Sequence, residues 1–289
     1  MKLAVTCNTS WEEPPTSRQQ SPAAALRRWR PAHPIGPKAR AASRGVIGLA
    51  ALAALLQTLS WWGPRKWGVP ALGRLASEVG ELASAHGFLT AVLATVAAVA
   101  LAVASGLVAA IVIGLAFGTS RLAHRAFGLP FEILRPVPAV AFIPLAILAL
   151  GQGPTMEVAV GAFGCWWPML FNTVYGVGQV DAQARDAARV LGCGRLALVT
   201  RVVLPSMLPF LLAGLRTAAP LALIVVIGAE YLASAGHGLG GVLIQATSTG
   251  DIDVLWATAV LTGVLGIAIG AVVALAGRLA CPWATERTR

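Results

Sequence analysis

Charge is scarce in this chain: Asp, Glu, Lys and Arg make up only 12% of its 289 residues, and only 12 of those residues are acids. A water-soluble domain carries about twice that share, so the composition excludes one. The acids are scattered, and no carboxylate cluster, His–metal set or activated nucleophile stands out. A multi-span membrane enzyme is therefore a weak alternative, with no catalytic and no metal-binding residue to propose. Cysteine is sparse too. Cys7, Cys165, Cys193 and Cys281 have no paired spacing, which excludes a disulfide framework and a cysteine-held metal. No G-x-x-x-x-G-K-[ST] loop for nucleotide phosphates occurs. No internal repeat is evident, and that weighs against a secondary transporter built from inverted halves, which with a channel is the nearer alternative.

What the chain has in abundance is apolar sequence, at 57% hydrophobic residues and a mean hydropathy of +0.74, which marks a membrane protein. Six runs suit a hydrocarbon core that takes about 20 helical residues. They are 45–62, 88–117, 137–151, 156–178, 207–229 and 254–277. The third is short and carries Pro138 and Pro144 just after Pro136, so a kink is expected there. The fold class read from this pattern is all-α, a polytopic membrane helix bundle of about six transmembrane helices. Trp61, Trp62 and Trp67 suit an aromatic belt after the first run. Residues 70–86 read as an amphipathic helix on the outer surface, with Leu72, Leu75, Val79 and Leu82 on one face and Glu78 and Glu81 on another.

The formal net charge of +10 falls between the runs rather than on one soluble face, so nucleic acid is not the expected partner. Arginines crowd the tail 1–44, the loops after the second and fourth runs, and the tail 278–289. The loop 230–253 has Glu230, Asp251 and Asp253 but no Lys or Arg. The positive-inside rule then places both termini in the cytoplasm. The tail 1–44, rich in Pro, Ser, Ala and Arg, reads as a disordered, topology-setting segment that anionic membrane lipid would attract. MKLAV, followed at once by polar residues, does not read as a leader.

One polar loop interrupts the apolar sequence after the fourth run, DAARVLGCGRLALVTRVVLP from Asp186 to Pro205. Ala187, Ala188 and Leu191 give a short helix with an apolar face, Asp186 suits the positive end of its dipole, and Gly192 and Gly194 break it. A second helical piece, Leu196 to Val203, runs until Pro205 ends it. The result is a compact knob on the cytoplasmic side. An acid and two alanines, a glycine four positions on, and an aliphatic residue followed by any residue and Leu-Pro form the pattern of Asp186, Ala187, Ala188, Gly192, Val202, Leu204 and Pro205. In this the loop resembles the "EAA" coupling loop of bacterial ABC-importer permeases, with Asp for the usual Glu and Val for the usual Ile. The proline-rich stretch Leu134 to Gly151 is similar to the branch serving nitrate, taurine and alkanesulfonates; Asn172-Thr173 and Gly214-Leu215-Arg216 look like further matches.

The resemblance covers roughly 86–277, and it implies a type I ABC-importer permease fold with the coupling loop at 181–205. Residues 45–85 then add a first span and the outer helix, and 278–289 a cytoplasmic tail. It implies that Asp186, Ala187, Ala188, Leu191, Gly192, Leu204 and Pro205 couple the chain to a cytoplasmic ABC ATPase dimer. It further implies no cofactor in this chain, with ATP and Mg on the partner ATPase, and an extracytoplasmic binding protein that delivers a small solute such as nitrate, taurine or an alkanesulfonate. Bicarbonate or a small heterocycle also remain open. One chain cannot enclose a pathway, so a second permease copy in a homodimer is the simplest arrangement.

Polar groups inside the runs are the candidates for the pathway or for locking the bundle, because hydrocarbon cannot satisfy them. They are Asn172, Thr173, Arg216, Thr217 and Glu230. Arg216 falls near mid-membrane, where it either presents charge to a crossing anion or pairs with a carboxylate or helix-end carbonyls. Glu230 has the same two readings. The glycines 236, 238, 240 and 241 around His237 read as a re-entrant or turn-rich outer loop, with His237 a loop residue rather than a metal ligand.

Overall fold

The computed structural model describes residues 70–119, 121–134, 136–233 and 236–282, together with isolated positions between Ile47 and Gly68. Two compact units are distinguished, Met1–Ala54 and Leu55–Arg289. In the first, Ile47, Gly48, Ala51 and Ala54 are helical. The tail 1–44, most of the first apolar run and the tryptophans 61, 62 and 67 lie outside the described residues, as does most of the tail 278–289.

The second unit is all helical among the described residues. Its elements are α1 (Leu72–Ser84), α2 (His86–Thr119), α3 (Arg121–Leu134), a 3₁₀ turn (Ala139–Phe142), α4 (Ile143–Leu150), α5 (Pro154–Gly178), α6 (Ala182–Val190), α7 (Arg195–Leu198), a π turn (Val199–Val203), α8 (Leu204–Leu232), α9 (Gly238–Thr249) and α10 (Ile252–Ala280). The amphipathic helix expected over 70–86 is present as α1, with Leu72, Leu75, Val79 and Leu82 half-buried, and it packs on α10. Beside it Glu78 is held above the usual carboxylate range, first by lost hydration and then by the carboxylates of Glu81, Asp251 and Asp253.

Three helical stretches are long and apolar enough to cross a membrane: Gly87–Thr119, Arg195–Leu232 and Ile252–Ala280. The pair Gly128–Leu134 and Ala139–Leu150, bent by 84°, would make a fourth. The reading of six spans is thus not reproduced among the described residues. The third run breaks where Pro136 and Pro138 prevent helical hydrogen bonding, leaving α4 only 8 residues long. The fourth run forms the 25-residue α5, whose Glu157, Asn172, two tryptophans and internal Pro168 dilute its apolar character.

The core explains why α5 tolerates these residues: it lies between α2 and α8 rather than against lipid. Ala98, Ala102 and Ala110 of α2 meet Cys165, Met169 and Leu170 of α5, and Ala218, Ala222 and Val226 of α8 close the other side. Small residues let these backbones approach closely, as packing between membrane helices requires when no hydrophobic gain separates lipid from protein. A methyl group at Gly114 would meet Thr173 Cγ2 at 2.5 Å, and one at Gly161 would meet Val226 Cγ2 at 2.7 Å. By contrast the outward faces of α2 (Leu93, Leu101, Val108) and α10 (Val264, Ile267, Val272) are exposed and aliphatic, as a lipid-facing surface must be.

Candidate functional site

The polar segment between α5 and α8 folds as a knob, with limits that differ from the sequence reading. Asp181, five residues before Asp186, caps α6 by accepting a hydrogen bond from the Gln183 N–H at 2.9 Å. Asp186 instead lies within α6, where it pairs with Arg189 at 2.9 Å on an exposed surface. Such a pair contributes little, about 0.3–0.5 kcal/mol. Ala187 is exposed and Ala188 buried. α6 ends in a turn that requires Gly192: its φ is +79°, a left-handed value that a side chain strains. The Cys193 N–H reaches back to the Ala188 carbonyl and the Gly192 N–H to that of Arg189, so the helix end is closed.

Pro205 does not end the second piece. It lies in the first turn of α8, where proline's fixed φ and missing N–H are tolerated. The strain is taken up one step earlier, where the Leu204 N–H bonds to the Val199 carbonyl five residues back. Helix therefore runs from Arg195 to Leu232 for 38 residues. Val177, Val180, Val203 and Met207, with Ile111 and Leu115 of α2, pack where the knob meets the bundle. The Arg185 guanidinium donates to the Val177 carbonyl in the last turn of α5. What the knob leaves outside is apolar: Val190 is 87% exposed, Leu191 82% and Leu196 79%. These three exposed apolar side chains lie beside Arg189 and Arg195.

At the other end of the bundle, two buried carboxylates hold the start of α9. Glu230, in the last turn of α8 and 0% exposed, accepts from the Thr95 hydroxyl of α2 at 2.7 Å and from the Gly240 N–H at 2.8 Å. The Thr95 oxygen in turn accepts from the Leu239 N–H at 2.9 Å. Two N–H groups in the first turn of α9, which have no partner within the helix, are thus satisfied by side chains from two other helices. The carboxylate also sits at the positive end of the α9 dipole. Gly238, with φ +70°, and Gly240 carry no side chain because Glu230 fills that space. Glu157, 1% exposed in the first turn of α5, has its Oε1 2.9 Å from His237 Nε2, just ahead of α9. His237 also borders a cavity of about 830 Å³ shared with Phe88, Thr90, Gln245 and Asp251, so this end is open to water.

The glycine-rich segment read as a re-entrant or turn-rich outer loop is mostly the helix α9, and the sequence reading overlooked Thr95, Glu157 and Arg185. Glu157 carried a signal, since an acid at the edge of an apolar run calls for a partner. Thr95 carried none.

The remaining candidates divide. Thr173 is fully buried and donates to the Met169 carbonyl of its own helix at 2.7 Å. Asn172 is half-buried; its amide donates to the Pro168 carbonyl at 2.8 Å, and its Cβ lies against Gly214 of α8. Thr217 is exposed and donates to the Gly214 carbonyl at 2.8 Å. Arg216 is exposed and makes no hydrogen bond or ion pair among the described residues. It follows Leu204 by 12 residues, about 18 Å along α8. Left facing hydrocarbon, a guanidinium at that depth would cost at least about 2.5 kcal/mol.

Residues 102–282, well over half of the chain, match the family described as binding-protein-dependent transport system inner membrane component. A nitrate import permease of Leptolyngbya laminosa is 29% identical over 166 residues, 57% of this chain and 59% of its own. A bicarbonate transport system permease of Synechococcus elongatus is 28% identical over 162 residues, 56% of this chain and 58% of its own. The chain thus spans less than two thirds of the length of these relatives. In fold it is similar to a chain of the MetNI methionine ABC transporter, in a structure of inward-facing conformations, with a TM-score of 0.54 and 22% identity over 66% of this chain and 95% of that one.

Proposed function

The chain belongs to the binding-protein-dependent transport system inner membrane component family, and we propose that it is the permease subunit of an ABC importer that moves a small anion into the cell. The observation that carries this reading is the knob. An exposed apolar surface of Val190 and Leu191 at the end of α6 and Leu196 in α7 is joined through the Gly192 turn to the long helix that begins at Arg195 and holds Arg216. Force applied there by a soluble partner reaches the middle of the bundle directly. That partner is a cytoplasmic ABC ATPase dimer that binds ATP and Mg, and Asp186, Ala187, Ala188, Leu191, Gly192, Leu204 and Pro205 form or position the contact. An extracytoplasmic binding protein delivers the solute, and a second copy of the chain completes the pathway in the inner membrane, with both termini cytoplasmic.

Transport runs by alternating access. Closure of the ATPase dimer draws two knobs together and rocks the bundles, and hydrolysis resets them. Glu230 serves as a lock between α2, α8 and α9, and Thr173 as a packing residue. Relatives named for nitrate and bicarbonate support an anion as cargo, with taurine or an alkanesulfonate also within the class.

The test is uptake into liposomes holding the chain with its ATPase, supplied with the binding protein and labelled nitrate, bicarbonate or taurine. Uptake of one anion that needs enclosed ATP is expected. Uptake driven by an ion gradient without ATP would refute the reading in favour of a secondary transporter.

A further inference from the structure

We infer that Arg216 is the anion-selecting group of the transport pathway, facing water between two copies of the chain rather than lipid or a bonded partner. The inference rests on the reading of the chain as an importer permease. Its ground is the contrast between the surface of α8 and those of its neighbours. Between Thr90 and Thr119 of α2 and between Ile252 and Ala276 of α10 no charged residue is exposed. The exposed positions there other than Ser105, whose hydroxyl donates to the Leu101 carbonyl, are small or aliphatic, as at Leu101, Val108, Val264 and Ile267. The exposed stripe of α8 changes character along its length. Its outer half carries Leu221 and Ile224, whereas its inner half carries Ser206, Ala213, Arg216 and Thr217.

A helix facing hydrocarbon has no use for that inner half. An arginine there needs water or a partner, and among the described residues it has no bonded partner. The acids able to neutralise it are committed elsewhere: Glu230 to Thr95 and Gly240, and Glu157 to His237. The charge of Arg216 therefore has no bonded counter-charge among the described residues, and two-fold pairing of α8 stripes would place two such charges across one narrow passage. Clefts lined by one sign of charge raise the local concentration of the opposite ion by about 10- to 1000-fold. A small oxyanion would also accept the forked N–H donors of a guanidinium. Thr217 adds a hydroxyl on the same exposed stripe.

The assembled transporter, with cysteine-free background, provides the test in two arms. In the first, Arg216→Cys and the lipid-face control Val264→Cys are exposed to hydrophilic methanethiosulfonates in inside-out vesicles. The thiol at position 216 is expected to react faster than the one at 264, and attachment of a trimethylammonium group is expected to restore uptake while a sulfonate group does not. Reaction no faster than at 264, or equal rescue by both groups, overturns the inference. In the second arm, Arg216→Gln is expected to lower uptake of nitrate at least about tenfold, the low end of electrostatic focusing. Arg216→Lys should retain most of it, both at unchanged yield of complex. Loss of the complex in both variants, or parental uptake by Arg216→Gln, shows a merely structural or idle arginine. If the parental complex takes up no anion at all, it is the importer reading that fails, and the reactivity at position 216 still decides whether the residue faces water.

Discussion

Replacing Thr95 with valine tests whether the start of α9 is held as one unit by Thr95 and Glu230. The change keeps the shape of the side chain and removes only the hydroxyl. Glu230 then loses one of its two donors, and the Leu239 N–H loses its acceptor in a place that water does not reach. Hydrogen bonds between membrane helices average only about 0.6 kcal/mol, because the loosened state finds other partners. Two features argue for more here. The acceptor is a carboxylate, for which a hydrogen bond contributes about 1.5–3 kcal/mol, and an orphaned buried donor costs about 1–3 kcal/mol. The two overlap, so we expect Thr95→Val to destabilise the full chain by about 2–4 kcal/mol.

Glu230→Gln removes the charge and one acceptor, and in a double-mutant cycle it should show a coupling with Thr95→Val of at least about 1.5 kcal/mol. The measurement is unfolding in mixed micelles titrated with SDS, followed by circular dichroism, on the four proteins of the cycle. A coupling at or below the ordinary value of about 0.6 kcal/mol would refute the idea that these groups act together.

Gly192→Val should strain the left-handed turn by about 1 kcal/mol or more and misdirect the apolar tip of the knob. The variant is expected to insert at normal level but to bind its ATPase weakly and transport slowly; parental rates would show that the turn is not needed. Topology has its own test: a thiol at Gln183→Cys should react with an impermeant reagent only after cells are opened, and one at Ser248→Cys in cells with a permeable outer membrane. The opposite pattern would invert the chain in the membrane.

The knob was legible in sequence because its determinants are local: Gly192 follows a short helical pattern at the distance where a left-handed residue must end it. Its edges were not. Two acids, Asp181 and Asp186, compete to be the cap, and only the path of the backbone out of α5 chooses the first. Pro205 was misread because a proline stops a helix that precedes it but starts one that follows. The π turn leaves no residue pattern that distinguishes it from ordinary helix. At the end that holds α9, the difficulty was distance. Thr95 and Glu230 lie 135 positions apart. Four glycines in a short stretch look like a loop until Glu230 is seen to occupy, with its carboxylate at 238 and its Cβ beside the α8 backbone at 240, the space that side chains there would take.

The continuous helix from Arg195 to Leu232 links the knob to the bundle as a single lever. At 38 residues it is about 57 Å long, so a tilt of about 10° around its middle displaces each tip by about 5 Å. Its hydrogen-bond ladder is interrupted at the short π turn and at Pro209 and Pro220 inside α8, so any bending concentrates at those places. The size of the opening then follows how far the knob is moved, less the bending that those interruptions take up.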